Sequence, residues 1–385
     1  MTARSTPPFR ADHVGSLLRP ANLHEARASF AAGKISAADL AAVEDAAILD
    51  AVKLQEGVSL QSATDGELRR EQWHSDFIYS LGGVEKGELA GPIIARTKDT
   101  EIPWRPNVTS ITGPLHLPGG QPIFGDHFRF LAQAVTTATP KITVPSPSMV
   151  HFRVNLSGSP YAAASPGGRP PVPPGGIEEF RADVAAVYTA EMLALYDLGA
   201  RYLQFDDTIF AFLGDPAWRQ AQRASGLDAE HQHEINVAVI NSVLAAKPAD
   251  MTVTVHMCRG NYQSAWFSEG GYDFVAEAVF GGLRADGLFL EYDDERSGGF
   301  EPLRYVRDDV TVVLGLVTSK TPALEDKDVL KRRVDEASKY VDIGRLCLSP
   351  QCGFASTVEG NALTIDEERA KLALVVETAE EIWGR

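Results

Sequence analysis

Eight short runs rich in β-branched and apolar residues, most of them followed by a stretch of helical periodicity, constrain this chain more than any other feature. They begin near Phe9, Val58, Lys141, Tyr202, Thr252, Gly287, Asp309 and Arg345. Helical patterns are expected over 36–55, where Ser36 is placed to cap, and over 70–81, 178–198, 215–247, 272–281, 325–340 and 366–383. Strand and helix in alternation call for a parallel sheet, because parallel neighbours need a crossover between them. Eight such units predict an α/β fold of the (β/α)8 TIM-barrel type, one domain over residues 1–385. A doubly wound open sheet is the competing solution. It usually carries a glycine-rich phosphate turn after its first strand, and none is present. Two stretches interrupt the alternation. Residues 85–125, rich in Gly, Pro and Thr, read as a hairpin excursion after strand 2, with extended runs at Ile93–Thr97 and Val108–Thr112. Residues 157–176 read as a Gly/Pro-rich loop after strand 3, over the barrel mouth.

Composition narrows the partners. The chain has 36 Lys and Arg against 52 Asp and Glu, a formal charge of −16, with no basic block. That argues against nucleic acid and anionic membranes. No run of about 18 apolar residues could span a bilayer, and the N-terminus lacks the apolar core of a signal peptide. Three cysteines, an odd number, make no disulfide framework, so the expectation is a cytoplasmic protein with reduced thiols. Self-association into a homo-oligomer is left open.

In a parallel barrel the site is built where the strands end. The polar residues cluster there: His13, Gly15 and Ser16 after the first strand, Asp65 and Glu67 after the second, Gln204, Asp206 and Asp207 after the fourth. His256 and Cys258 end the fifth, Glu291 ends the sixth, and Ser349-Pro-Gln-Cys352-Gly353 follows the eighth. His256 and Cys258, two apart on a strand, point to one side and make half of a tetrahedral zinc site. A buried His beside a buried Cys explains the tripeptide as well. Glu291 and Cys352 would complete four Zn2+ ligands, although Glu291 could simply pair with Arg296, and Cys352 could be a structural thiol in its turn. Cys347, inside the apolar run Leu346-Cys347-Leu348, reads as core.

These motifs, His256-Met-Cys258, Leu290-Glu291, Ser349-Pro-Gln-Cys352-Gly, Gln204-Phe-Asp206-Asp207, Asp65-Gly-Glu67 and Val14-Gly-Ser16, follow one another nearly end to end. In them the chain resembles the catalytic half of cobalamin-independent methionine synthase, and more closely its short single-barrel relatives. The resemblance implies a zinc-dependent thiol alkyltransferase. Zinc bound by His256, Cys258, Glu291 and Cys352 would hold a substrate thiol as thiolate, which attacks an activated alkyl carbon. It implies Ser16 and Glu67 at the carboxylate and ammonium of homocysteine, and Asp206 near the methyl donor. His13, Asp207 and Arg259 are counted with the substrate contacts.

The chain also departs from that pattern. The N-terminal half of the two-barrel enzyme is absent, and Val150-His151 stand near the place of the folate-stacking tryptophan. Lys320 replaces the histidine proposed as proton donor and is taken as a catalytic cation at the rim of the site. The alkyl donor is therefore open between methyl-folate, methylcobalamin and an epoxide. The first reading is a methyltransferase making methionine from homocysteine. The second is an enzyme like epoxyalkane:coenzyme M transferase, whose sulfonate substrate wants cations such as Arg19, Arg259 or Lys320, although Arg259 could equally brace Asp206 or Glu291. Glu67 favours an amino acid, unless it only pairs with Arg69 or Arg70. A metal-holding barrel without catalysis and a decarboxylase like uroporphyrinogen decarboxylase are the remaining readings.

Overall fold

The computed structural model describes residues 4–88, 92–104, 107–155, 174–224 and 228–384. Its centre is a curled sheet of seven parallel strands in sequential order: β1 (Ser62–Ala63), β2 (Thr139–Pro145), β3 (Tyr202–Asp207), β4 (Thr252–Met257), β5 (Gly287–Glu291), β6 (Thr311–Val317) and β7 (Leu346–Pro350). The arrangement is that of a TIM-like barrel. Along these strands successive side chains alternate faces. Leu203, Val255, Leu288, Leu314 and Leu348 join the core shared with the outer helices, while Phe289, Val313 and Cys347 pack with Val14 inside the sheet. Each such aliphatic side chain, fully buried, contributes about 1.5–3 kcal/mol.

Eight strands were expected, and seven form the ladder. The first predicted strand is reduced to a single parallel bridge, Ala11 to Leu348, made by Asp12 N–H on Leu348 O (3.0 Å) and Leu348 N–H on Arg10 O (2.9 Å). Its other side is joined to β1, β2 and β3 by side chains. Asp12 Oδ1 accepts from Ser62 Oγ at 2.9 Å and from Lys141 Nζ at 3.3 Å, and Asp12 Oδ2 accepts from Tyr202 Oη at 2.8 Å. Buried charge thus lies deep in the sheet as well as at the strand ends, contrary to the expectation of apolar strand bodies. β1 is also far shorter than the run Val58–Glu67, because the preceding helix persists to Gly57 and Ser59 turns the chain at φ +66°.

The helix Ala37–Gly57 begins as predicted. Ser36 Oγ accepts from Asp39 N–H and Asp39 Oδ2 accepts from Ser36 N–H, a reciprocal cap. The helix expected over 70–81 shrinks to Ser75–Tyr79, since the Asp76 carboxylate takes the N–H groups of Glu71 and Gln72 and holds them in a turn. The region 215–247 divides into helices Pro216–Ala224 and Gln232–Leu244, preceded by Ile209–Gly214. Asp215 separates Ile209–Gly214 from Pro216–Ala224, its Oδ1 accepting Ala217 N–H at 2.8 Å beside Pro216, which has none to give.

After β1 the chain makes an antiparallel pair, Gly82–Glu88 with Asn107–His116, and between them a hairpin, Ile93–Arg96 with Glu101–Trp104. The hairpin docks on the loop after β4, where Arg96 and Trp266 exchange backbone hydrogen bonds at 2.6 and 2.8 Å. Residues 157–173 of the expected loop after strand 3 lie outside the described residues. No helix among those described is long and apolar enough to cross a membrane.

Candidate metal and thiol site

Register carries the first three functional groups to one place. Asp206 on β3 lies opposite His256 on β4, and His256 lies opposite Phe289 on β5, so neighbouring strand ends present Asp206 and His256 side by side. Cys258 follows β4, tied by its N–H to Asp207 O at 3.2 Å. Cys352 follows β7 in a turn clamped from both sides. Gln351 Oε1 accepts from Ser319 N–H and Oγ, and Gly353 O accepts from Asn261 Nδ2 at 2.7 Å and Ser319 Oγ at 2.9 Å. A Cβ at Gly353 would stand 1.9 Å from Ser16 Oγ and 3.1 Å from Ser16 O, so any larger residue would displace the Ser16 side chain. The glycine therefore lets the Cys352 turn close against the Ser16 turn.

The imidazole nitrogen and the two sulfurs lie within 4.8 Å of one another, all buried. Cys258 Sγ and Cys352 Sγ are 3.6 Å apart. Two sulfurs each about 2.3 Å from a tetrahedral zinc ion would stand about 3.8 Å apart. Both His256 ring nitrogens are buried without a hydrogen-bond partner. Buried imidazole nitrogens are costly unless something uses them, so this donor set fits a metal ion. Contact between the sulfurs pushes the Cys258 thiol up and pulls the Cys352 thiol well down, with His256 and Lys320 also favouring a Cys352 thiolate.

Glu291 stands outside that cluster. Its Oε2 accepts Arg259 N–H at 2.6 Å and its Oε1 lies 2.7 Å from Arg296 Nη2 and 3.7 Å from Lys320 Nζ. Against its burial, Lys320, Arg296 and Arg259 hold it down at about 2. Lys320 is buried against this carboxylate and not at the rim. Arg259 is committed as a brace: Nε donates to Gly270 O, Nη1 to Glu291 O and Nη2 to Ser297 O. Arg19 likewise spends its guanidinium on the carbonyls of Ala355, Thr357, Glu67 and Arg70. His13 is buried away from the cleft, and burial pushes it down to about 4.

A cleft of about 590 Å3, measured out to its open mouth, lies over the cluster. Ser16, Glu67, Asp206 and Asp207 line it together with His256, Cys258 and Cys352. Glu67 Oε1 accepts from Thr143 Oγ1 at 2.7 Å and pairs with Arg70 at 3.3 Å, while Oε2 is buried without a partner. Asp206 Oδ1 accepts from Gln204 Nε2 at 2.7 Å. Burial pushes Asp206 up to about 7, opposed by His256 and reinforced by Glu67. Asp207 is engaged on both oxygens. Oδ1 caps the helix Ile209–Gly214 at the N–H groups of Ile209 (2.7 Å) and Phe210 (3.1 Å), and Oδ2 accepts from Ser146 and Ser148.

Sequence reasoning missed the aromatic walls. Trp73, Trp104, Phe212, Tyr262 and Phe267 line the cleft. Trp104 comes from the hairpin and packs on Tyr262 and Phe267, with ring centroids 5.8 and 5.4 Å apart. The isolated Trp in the Gly/Pro-rich excursion was the available signal, since a two-stranded hairpin has no core of its own in which to bury such a ring.

Residues 176–381 match the model of the catalytic domain of the cobalamin-independent synthase family. The uncharacterized protein YxjG of Bacillus subtilis is 45% identical over 99% of this chain and 96% of its own length. A crystal structure from Listeria monocytogenes, named as a candidate vitamin-B12-independent methionine synthase, is similar at 38% identity and a TM-score of 0.76, covering 99% of this chain and all of that one. A B12-independent methionine synthase from Shewanella, solved with selenomethionine, shares the fold at 18% identity and a TM-score of 0.67 over 97% of each chain.

Proposed function

The chain belongs to the cobalamin-independent synthase family, whose catalytic domain it matches over 176–381, and from that premise we propose that it methylates homocysteine to methionine with the help of zinc. His256, Cys258 and Cys352 would hold the ion. Glu291 completes the four-ligand set if it gives up Arg296. Bound Zn2+ would keep the substrate sulfur as thiolate at neutral pH, and two cysteine thiolates beside it would leave that sulfur electron-rich.

The chain's own groups do the rest. Glu67, which lines the cleft and whose Oε2 is buried without a partner, accepts the substrate ammonium, and Ser16 Oγ donates to its carboxylate. Asp206 sits beside His256 and acts on the methyl donor. The aromatic walls exclude water from the transfer. The observation that carries this reading is the meeting of His256, Cys258 and Cys352 on the floor of a cleft walled by Glu67.

The coenzyme M reading loses its cations. Arg19 and Arg259 are spent on backbone carbonyls, and no Lys or Arg is among the described residues lining the cleft. The test uses protein loaded with Co2+ in place of zinc, titrated with homocysteine and, separately, with coenzyme M. Homocysteine should shift the cobalt absorption to saturation at one equivalent per chain, and coenzyme M should not. A cobalt spectrum indifferent to homocysteine would sink the reading.

A further inference from the structure

The walls above the thiol end of the cleft say what kind of donor fits there. Five aromatic side chains, Trp73, Trp104, Phe212, Tyr262 and Phe267, surround a space whose only charged side chains among the described lining residues are Glu67, Asp206 and Asp207. All three are acids; Glu67 is taken by the substrate ammonium in the reading above and both Asp207 oxygens are engaged within the protein, which leaves Asp206 to face the donor. Arg70, the one cation paired with Glu67, is fully buried behind it. Aromatic faces are negative at their centres, and with carboxylates nearby they attract a desolvated cation and repel a polyanion. A donor of net negative charge, carrying several carboxylates or phosphates and no cation of its own, would meet no compensating charge on these walls.

Resting on the thiol-methylation reading above, we propose that the methyl donor is an onium cation, a sulfonium or a quaternary ammonium, held against the aromatic wall with Asp206 as its counter-charge. The chemistry balances without an acid. The homocysteine proton goes to solvent on binding. The thiolate sulfur then forms a bond to the methyl carbon as the bond from that carbon to the onium centre breaks. The electron pair of the broken bond stays on the leaving sulfur or nitrogen, which departs as a neutral sulfide or tertiary amine. A cation and an anion react to two neutral groups, and no proton donor is needed. That suits a site whose nearby ammonium, Lys320, is turned to Glu291 at 3.7 Å and does not line the cleft.

Trp104 is the specificity-determining residue in this scheme. It reaches the cleft only because the hairpin docks through the Arg96–Trp266 bridge, and it packs on Tyr262 and Phe267 to close the aromatic wall. A cation held by a ring face loses that attraction when the ring becomes an alkyl group and keeps it when one ring replaces another.

The experiment offers zinc-loaded protein and homocysteine four donors: S-methylmethionine, glycine betaine, methyl-folate and methylcobalamin. Methionine should form with one or both onium donors and not with the other two; the two onium arms separate sulfonium from ammonium. Trp104→Leu should raise the KM for the accepted onium donor at least tenfold with zinc content retained, and Trp104→Phe should restore most of it. Turnover with methyl-folate or methylcobalamin but neither onium donor overturns the assignment, as does an unchanged donor KM in Trp104→Leu. If homocysteine shifts the cobalt spectrum and no onium donor is consumed, the donor assignment falls while the thiol reading stands. If homocysteine does not bind, the thiol reading falls and takes the donor with it.

Discussion

Cys352 and Cys347 lie five residues apart and face opposite fates. Cys352 leaves β7 into the clamped turn and meets His256 and Cys258. Cys347 stays within β7, packed with Val14, Phe289 and Val313, its sulfur 3.9 Å from Pro8 O and its thiol pushed up to about 12 by burial. Cys352→Ser should therefore lose most of the bound zinc and Cys347→Ser should keep it, as elemental analysis of the two purified variants would show. Equal zinc in both would dissolve the ligand assignment. The His-x-Cys spacing and the Cys after the last strand were legible because strand alternation and barrel topology force them together. The pairing of Glu291 with Arg296 stood in the sequence as the alternative to a metal ligand, and the structure has it; which of the two holds was not legible, because guanidinium partners are chosen by loops whose paths no short pattern encodes. Arg259 read as a substrate contact for the same reason. Its guanidinium finds the backbone carbonyls of Gly270, Glu291 and Ser297, which lie 11 to 38 residues away.

The C-terminal helix Ile365–Trp383 starts with a reciprocal Thr364–Glu367 cap and then buries Glu368 completely. Glu368 Oε2 accepts Leu18 N–H at 2.8 Å, tying the helix to the segment just after Ser16. Burial pushes this carboxyl up to about 8, against that single hydrogen bond. In the unfolded chain it ionises near its ordinary value of about 4.3. Between those two values the folded state binds the extra proton, so stability is greatest below the lower one and falls as pH rises toward about 8. The slope from this one group is about 1.4 kcal/mol per pH unit. Glu368→Gln keeps an acceptor for Leu18 N–H and removes the titration. Urea unfolding at pH 5, 6.5 and 8 should show the variant gaining on the parent as pH rises. A constant difference between them would place the proton elsewhere. The helix itself was visible in the sequence to within a residue or two, by its periodicity. The helix expected over 70–81 failed, since one Asp76 carboxylate holding two backbone N–H groups outweighs periodicity over so short a stretch.

At the scale of the whole molecule the weakest join is the seam between β7 and β1, where one backbone bridge at Ala11 stands in for a strand. Its strength comes from Asp12, which accepts from Ser62, Lys141 and Tyr202 and from the N–H groups of Phe9 and His13. Burial would raise this carboxyl, yet Lys141 and its other donors hold it below the ordinary carboxylate range. Lys141 is equally enclosed: Nζ donates to His13 O at 2.6 Å and sits 4.1 Å from the Phe289 ring centre. Both charges are fully buried, so removing one strands the other in a medium that cannot solvate it. Lys141→Met should cost about 3–5 kcal/mol of unfolding free energy, the usual scale for a broken buried pair. The double variant Asp12→Asn with Lys141→Met removes the stranded charge and should recover about 1–3 kcal/mol of that loss, a coupling expected of direct contacts. Denaturant midpoints of the parent, the two single variants and the double variant complete the cycle. If Lys141→Met unfolds at the parental midpoint, or if the double variant loses the plain sum of the singles, then the pair does not hold the seam and the sheet closes by packing alone.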